Sequence, residues 1–298
     1  MSRERLGFAL SRGLETRYKG ETLKNYSKIA RRFADFVKEE HGQARISPEQ
    51  SRAYIQSFLD KHISEGKSPD TVHTYAAALS AATGSKMTDY KYEQRGAPTK
   101  GRENVGVRTE TNARVYDVMG AIGFREKEYG RLRGGDLVER NGQTYITLDK
   151  GKGGKPQEQL ILPSRVDEVK AVFEGVKNGD YVFTHDEVKG LHGANAHAAR
   201  REAARDAYEY FKGLSDAERQ PYREEMERLF TERGKQASFA AYNERLKTSP
   251  QIYMRGSNRA RCVSSGKSVS FDREATMMTS VFKLAHYREE VTTKNYLI

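Results

Sequence analysis

The sequence predicts a two-domain, mainly helical protein with a small antiparallel β-sheet, and four observations carry that expectation. Apolar residues recur at three- and four-residue steps through residues 22–84. A charged stretch with glycines and no sustained apolar period occupies residues 85–110, and two short strand-like runs flank a glycine-rich turn around residue 152. At 298 residues the chain has room for two cores, at roughly 150 residues per domain.

Taken in order, residues 1–21 read as an N-terminal extension. In the helix that follows, Leu23, Tyr26, Ile29, Ala30, Phe33 and Phe36 line one face, while Lys24, Lys28, Arg31 and Arg32 fall largely elsewhere, so one side is core and another basic. Ser47-Pro48-Glu49 supplies an N-cap oxygen and a proline at the first helical position, opening a helix with Tyr54, Ile55, Phe58 and Leu59 as its stripe. Ser68-Pro69-Asp70 repeats the device, and that helix stops near Gly84, giving at least three helices with a fourth allowed. Residues 85–110 form the expected linker. A helix resumes over 113–122 until Gly123 interrupts it, and the runs QTYITLD and QEQLIL around GKGGKP predict a β-hairpin. Beyond Leu191 the chain is mostly helical, and the mixed charges of residues 214–246 predict an exposed helical pair. No repeat of 20–50 residues is present.

Composition bounds the function. Lys and Arg number 52 against 41 Asp and Glu, a net charge of +11, which gathered on one face would attract a phosphate backbone and make affinity fall with salt. Hydrophobic residues at 36% and a mean hydropathy of -0.84 are polar for a globular chain, yet the Tyr, Phe, Leu and Val content argues against disorder. No run approaches a membrane span and the first residues lack the apolar region of a secretory signal, so a cytoplasmic, DNA-associated protein without a membrane partner is expected. The single cysteine, Cys262, forms neither an internal disulfide nor a thiolate metal site, and reads as buried filler.

Several familiar patterns fail on inspection. VSSGKS at 263–268 ends like a nucleotide-binding loop, but the first glycine of that motif would fall on Arg261 and no apolar strand leads in. His192 and His197 have no metal-spaced partners, so no metal is expected. GKGGK lies between two strand-like runs rather than between a strand and a helix.

An ordered set of basic residues ending in a tyrosine remains: Gly123-Phe124-Arg125-Glu126-Lys127-Glu128, Gly151-Lys152-Gly153, His197-Ala198-Ala199-Arg200, Leu284-Ala285-His286 and Thr292-Thr293-Lys294-Asn295-Tyr296. Together, and with Leu132 and Asp136 seven and eleven positions after Arg125, these resemble the tyrosine recombinase, or phage integrase, family over roughly residues 22–298. The resemblance implies a clamp around duplex DNA, with a helical core-binding domain at 22–84 and a catalytic domain at 111–298. It implies Tyr296 as nucleophile forming a 3′-phosphotyrosyl bond, Arg125 and Arg200 as phosphate clamps, Lys152 as general acid, and His286 as a further phosphate contact. Glu128 would support the first arginine. Two guanidiniums that keep their protons suit a transition state that gathers charge on nonbridging oxygens, and His197, three residues before Arg200, would share a helical face with it. No cofactor is implied; the implied partners are a specific duplex site, further copies of the chain in a tetramer on two such sites, and an accessory DNA-bending or excision factor.

Three spacings differ from the family pattern. His286 to Tyr296 spans ten positions, one more than usual, and His197 to His286 spans 89, which implies a helical insertion around 205–270 and leaves Arg255 and Arg259 as rival phosphate contacts. Only Leu297 and Ile298 follow Tyr296, so exchange between protomers would use another element. The expected activity is integration or excision of a mobile element. A catalytically inactive recombinase-derived protein that binds duplex DNA is the alternative, and an unrelated RNA-associated helical protein the third.

Overall fold

A computed structural model describes residues 5–93, 106–151 and 154–298, and the chain divides into two compact units, residues 1–99 and 100–298. The fold is mainly helical with a small antiparallel sheet.

The first unit contains α1 (Leu6–Glu15), α2 (Gly20–His41), the short α3 (Pro48–Ser51), α4 (Ile55–Ser64) and α5 (Pro69–Thr83). Its core interleaves Leu6, Leu10 and Leu14 with Phe33 and Val37, Ile55, Phe58 and Leu59, and Val72, Ala76 and Leu79. The stretch read as an extension thus carries α1, whose leucines recur every four residues and are wholly enclosed. Ser47 closes a reciprocal cap with Gln50, and Ser68 accepts from Thr71, as the Ser-Pro pairs predict. A 3₁₀ turn over Arg52–Tyr54 divides the expected second helix, and the Arg52 guanidinium reaches back to the Thr83 carbonyl at the end of α5 (Nε 3.0 Å).

In the second unit α6 (Ala113–Ile122) and α7 (Glu126–Tyr129) precede β1 (Leu137–Arg140), β2 (Gln143–Leu148) and β3 (Gln157–Ile161), which form one antiparallel sheet in that order. The expected hairpin is β2–β3, with Leu148 opposite Gln157. β1 is additional: Asn141 and Gly142 both take positive φ and join it to β2 as a two-residue turn.

Then come α8 (Val166–Phe173), α9 (His185–Lys189), α10 (Ala196–Gly213), α11 (Asp216–Glu232) and α12 (Gln236–Thr248). β4 (Gln251–Tyr253) pairs with β5 (Ser270–Asp272) across α13 (Gly256–Ser264). Last are α14 (Arg273–Met278), continuing into a π-helical turn at Thr279–Lys283, and α15 (Glu289–Thr292), continuing into another at Thr293–Leu297. α10 runs unbroken to Gly213, so the region expected as an insertion around 205–270 starts within a continuous helix.

The mixed-charge segment is not merely an exposed pair. Tyr222, Met226 and Phe230 on α11 and Tyr242 on α12 are buried in one core with Phe211, Phe271, Phe282, Tyr287 and Leu297. Spacing of four along α11 gives a continuous apolar stripe, which the surrounding charges obscure in the sequence. The charges are themselves ordered: Arg219 and Arg223 pair with the largely buried Glu274. Among the described residues no helix is long and apolar enough to cross a membrane.

Candidate active site

The backbone that carries Arg125 is shaped by Gly123, where α6 ends. Gly123 takes φ 74°, and a Cβ there would stand 2.8 Å from the Cβ of Ala203 on α10. Glycine meets both demands, a left-handed dihedral and a close helix contact. Tyr129 fastens the next turn: its buried hydroxyl accepts from the Phe124 N–H (3.2 Å) and donates to the Met119 carbonyl (3.1 Å). Arg125 therefore arrives at the N-cap of α7, where Glu128 Oε2 accepts its backbone N–H and Oε1 its guanidinium, both at 2.8 Å. Burial pushes the Glu128 carboxyl up, but the Arg125 N–H and the charges of Arg125 and Arg200 outweigh it and hold the pKa below the usual carboxylate range.

Arg200 projects from α10 and is wholly enclosed. Its guanidinium donates to the Gly123 carbonyl and, at 2.7 Å, to the Leu284 carbonyl. No carboxylate stands within ion-pair distance of it among the described residues, and its Nε has no hydrogen-bond partner there. Burial lowers its pKa from the ordinary value; Tyr296 opposes this and Arg125 adds to it. A guanidinium so placed directs its bonds to carbonyls, with the Glu128 carboxylate acting on it only through its charge.

His286 sits on a strained turn, flanked by Ala285 and Tyr287 with φ of 49° and 58°. Ser280 closes that turn, its carbonyl accepting the His286 N–H (2.8 Å) and its hydroxyl the Arg288 N–H (2.9 Å). His286 Nε2 accepts from Arg125 NH2 at 3.1 Å, since a guanidinium only donates, and this leaves the ring proton on Nδ1. The His286 ring lies 5.3 Å from the Tyr296 ring, centroid to centroid. Tyr296 rests on Ala204 and Leu284 with the Arg200 guanidinium 5.8 Å from its centroid, and is 7% exposed.

The structure thus gathers Arg125, Glu128, Arg200, His286 and Tyr296, drawn from α7, α10 and the last two turns. His197 is exposed, one helical turn before the enclosed Arg200. Lys152 lies outside the described residues; of its described neighbours, Gly151 N–H donates to the Lys155 carbonyl (2.8 Å). Arg255 and Arg259 are exposed beside and on α13. Among the described residues no group of three or more His, Cys, Asp or Glu side chains gathers as a metal site would.

Sequence reasoning missed Lys283. Its ammonium is buried behind Arg200 and donates to the Ala121 carbonyl and to the Leu160 carbonyl (3.1 Å), tying the π-helical turn to α6 and β3. Burial first, and Arg200 next, bring its pKa down to about 7. Nothing in its local sequence marks it.

The sequence matches no family model and no curated protein. In fold the chain is similar to solved integrases and recombinases. One is the Tn1549 transposon integrase, residues 82–397, in complex with circular intermediate DNA, at 12% identity over 71% of this chain and 89% of that one, TM-score 0.43. A second is the XerH site-specific recombinase bound to palindromic difH substrate in a post-cleavage complex, at 14% identity over 70% and 84%, TM-score 0.38. A third is XerA recombinase, at 15% identity over 70% and 86%, TM-score 0.26.

Proposed function

We propose that this chain is a site-specific DNA recombinase that breaks and rejoins duplex DNA through a 3′-phosphotyrosyl intermediate, integrating or excising a mobile element. The observation that carries the reading is the convergence of two guanidiniums, an imidazole and a phenol from positions as far apart as 125 and 296, with Arg125 bonded to His286 and Arg200 beside Tyr296. Two fixed cations and an imidazole make a seat for a phosphodiester, and the phenol is the nucleophile at its side.

In this mechanism the Tyr296 hydroxyl gives its proton to solvent, and its oxygen bonds to phosphorus as the bond to the 5′ oxygen breaks. Arg125 and Arg200 take up the charge that grows on the nonbridging oxygens, and the phosphate replaces His286 as acceptor for Arg125, leaving His286 on its flank. Glu128 holds Arg125 in place. Lys152 gives the leaving oxygen its proton, a role that rests on the family resemblance. The phosphotyrosyl bond conserves the energy of the broken one, so rejoining requires no nucleotide. Strand exchange would bring four copies together on two duplex sites, with an accessory DNA-bending or excision factor setting direction.

The test is covalent capture: nicked duplexes tiled from the DNA flanking the gene are incubated with the protein in EDTA, and denaturant-resistant adducts are sought. An adduct that Tyr296→Phe does not form supports the reading. Tight duplex binding with no adduct on any substrate favours the inactive DNA-binding protein instead.

A further inference from the structure

Residues 215–269 separate α10 from β5, and their role is open in the reading above. Their side chains converge on one place. Tyr287, the left-handed residue next to His286, is buried with its ring edge-on to Phe230 of α11 at 5.1 Å. The Arg233 guanidinium stands 4.4 Å from the centre of the same ring, and the Lys235 ammonium 5.2 Å. Arg233 is itself anchored by NH2 donating to the Pro156 carbonyl (3.1 Å).

Further along, Arg245 of α12 donates to Glu289 Oε1 at 3.0 Å, and Arg273 donates to the same buried oxygen. Glu289 opens α15, which leads into the turn that carries Tyr296. From α13, Arg261 NH2 donates to the Ile298 carbonyl at 2.8 Å, two residues past Tyr296. The excursion therefore grips the 286–298 strap at its start, at the head of α15 and at its end.

We propose that residues 215–269 are a positioning clamp for the strap that carries His286 and Tyr296. A non-glycine residue at φ 58° is held only when its surroundings over-determine it. The Phe230, Arg233 and Lys235 cage around Tyr287 supplies that constraint, and so keeps His286 Nε2 against Arg125. Arg245 and Arg261 then fix the two ends of the helical segment on which Tyr296 rides. These residues act through Tyr287, Glu289 and Ile298 and touch no reacting atom. The inference rests on the recombinase reading for its consequence, but the grip itself is open to measurement without it.

Arg233→Ala, Arg245→Ala and Arg261→Ala would be compared with the parent protein, with Arg233→Lys as the conservative variant. Arg228→Ala, which removes ion pairs with Glu225 and Glu232 and leaves Phe230, Arg233 and Lys235 around Tyr287, is the control. Three quantities are read: amide hydrogen exchange across residues 284–298, single-turnover adduct formation on a saturating nicked duplex, and Kd for that duplex. The three clamp variants should speed exchange in the strap and slow adduct formation by about 10- to 100-fold, as loss of alignment does. Kd should stay within about twofold of the parent, because no binding contact is removed. Arg233→Lys should recover much of the rate by keeping a cation over Tyr287, and Arg228→Ala should match the parent.

Unchanged exchange in the strap would overturn the clamp. Faster exchange with an unaltered adduct rate would show a structural brace with no positioning role. A fall in rate accompanied by a rise in Kd would make the excursion a DNA contact. If the parent forms no adduct, the recombinase reading fails, while the exchange data still decide whether the clamp exists.

Discussion

Lys283→Met is the most quantitative probe of how this site is held. The lysine is about 1% exposed, has two carbonyl acceptors, and faces the charges of Arg200, Asp206, Arg165 and Glu168. Its pKa falls from 10.5 to about 7 on folding, and at about 1.4 kcal/mol per unit the folded state carries a penalty on the order of 5 kcal/mol when the ammonium is charged. Below pH 7 both states hold the proton and the penalty is complete. As pH rises from there toward 10.5 the folded state gives up its proton while the unfolded chain keeps it, so stability climbs with pH. Methionine removes that titration. Denaturant unfolding of parent and variant at steps from about pH 7.5 to 9.5 should show the parent gaining on the variant by about 2 to 3 kcal/mol, whatever constant offset the lost hydrogen bonds introduce. All other titrating groups cancel in the difference. Parallel stability curves would refute the reasoning, because they would mean that Lys283 titrates alike in the folded and unfolded chain.

Three further outcomes follow from the same geometry. Gly123→Ala meets both a left-handed dihedral and Ala203 at 2.8 Å, and should cost about 1 to 3 kcal/mol, read as a lowered thermal midpoint. Glu128→Gln leaves Arg125 with half its anchor and should cost about 3 kcal/mol near neutral pH. Since the folded carboxyl titrates below its ordinary value, that loss is complete above the ordinary pKa of 4.5 and should shrink as pH falls through the lower folded value; a loss that does not change with pH contradicts the pairing. Arg200→Lys keeps a charge but cannot span the Gly123 and Leu284 carbonyls together, and should slow adduct formation by about 100-fold or more, measured in single turnover on nicked duplex.

What the sequence made legible was local. The Ser-Pro caps, the helical stripe of α2, the stop at Gly123 and the β2–β3 pair each depend on residues close in the chain, and each stands in the structure. β1 has a local signal too, the Asn141-Gly142 dipeptide that favours a two-residue turn. The α11 stripe of Tyr222, Met226 and Phe230 had the right spacing but lay among charges whose pairing with Glu274 depends on tertiary contact. In the site, Arg125, Arg200, His286 and Tyr296 were singled out from their motifs, and the structure brings those four together. Lys283 was beyond reach, because its burial is created by α6 and β3, more than a hundred residues away. The exposure of His197 was equally hidden, since helical spacing places two residues on one side without saying which atoms the neighbouring elements cover.

The bond between Arg125 and His286 also orders events in time. It closes a loop of 161 residues, and closure entropy makes such a contact unfavourable until much of the intervening chain is already compact. The first unit, built of helices with near neighbours, and the β2–β3 hairpin need no such wait, and topologies rich in short-range contacts fold quickly. The nascent protein would therefore acquire its helical unit and its sheet well before Arg125 meets His286, and until that meeting Tyr296 lacks the Arg125–His286 pair beside it. Under the proposed function, a nucleophile arranged only at that final docking step would be a kinetic safeguard for the DNA around it.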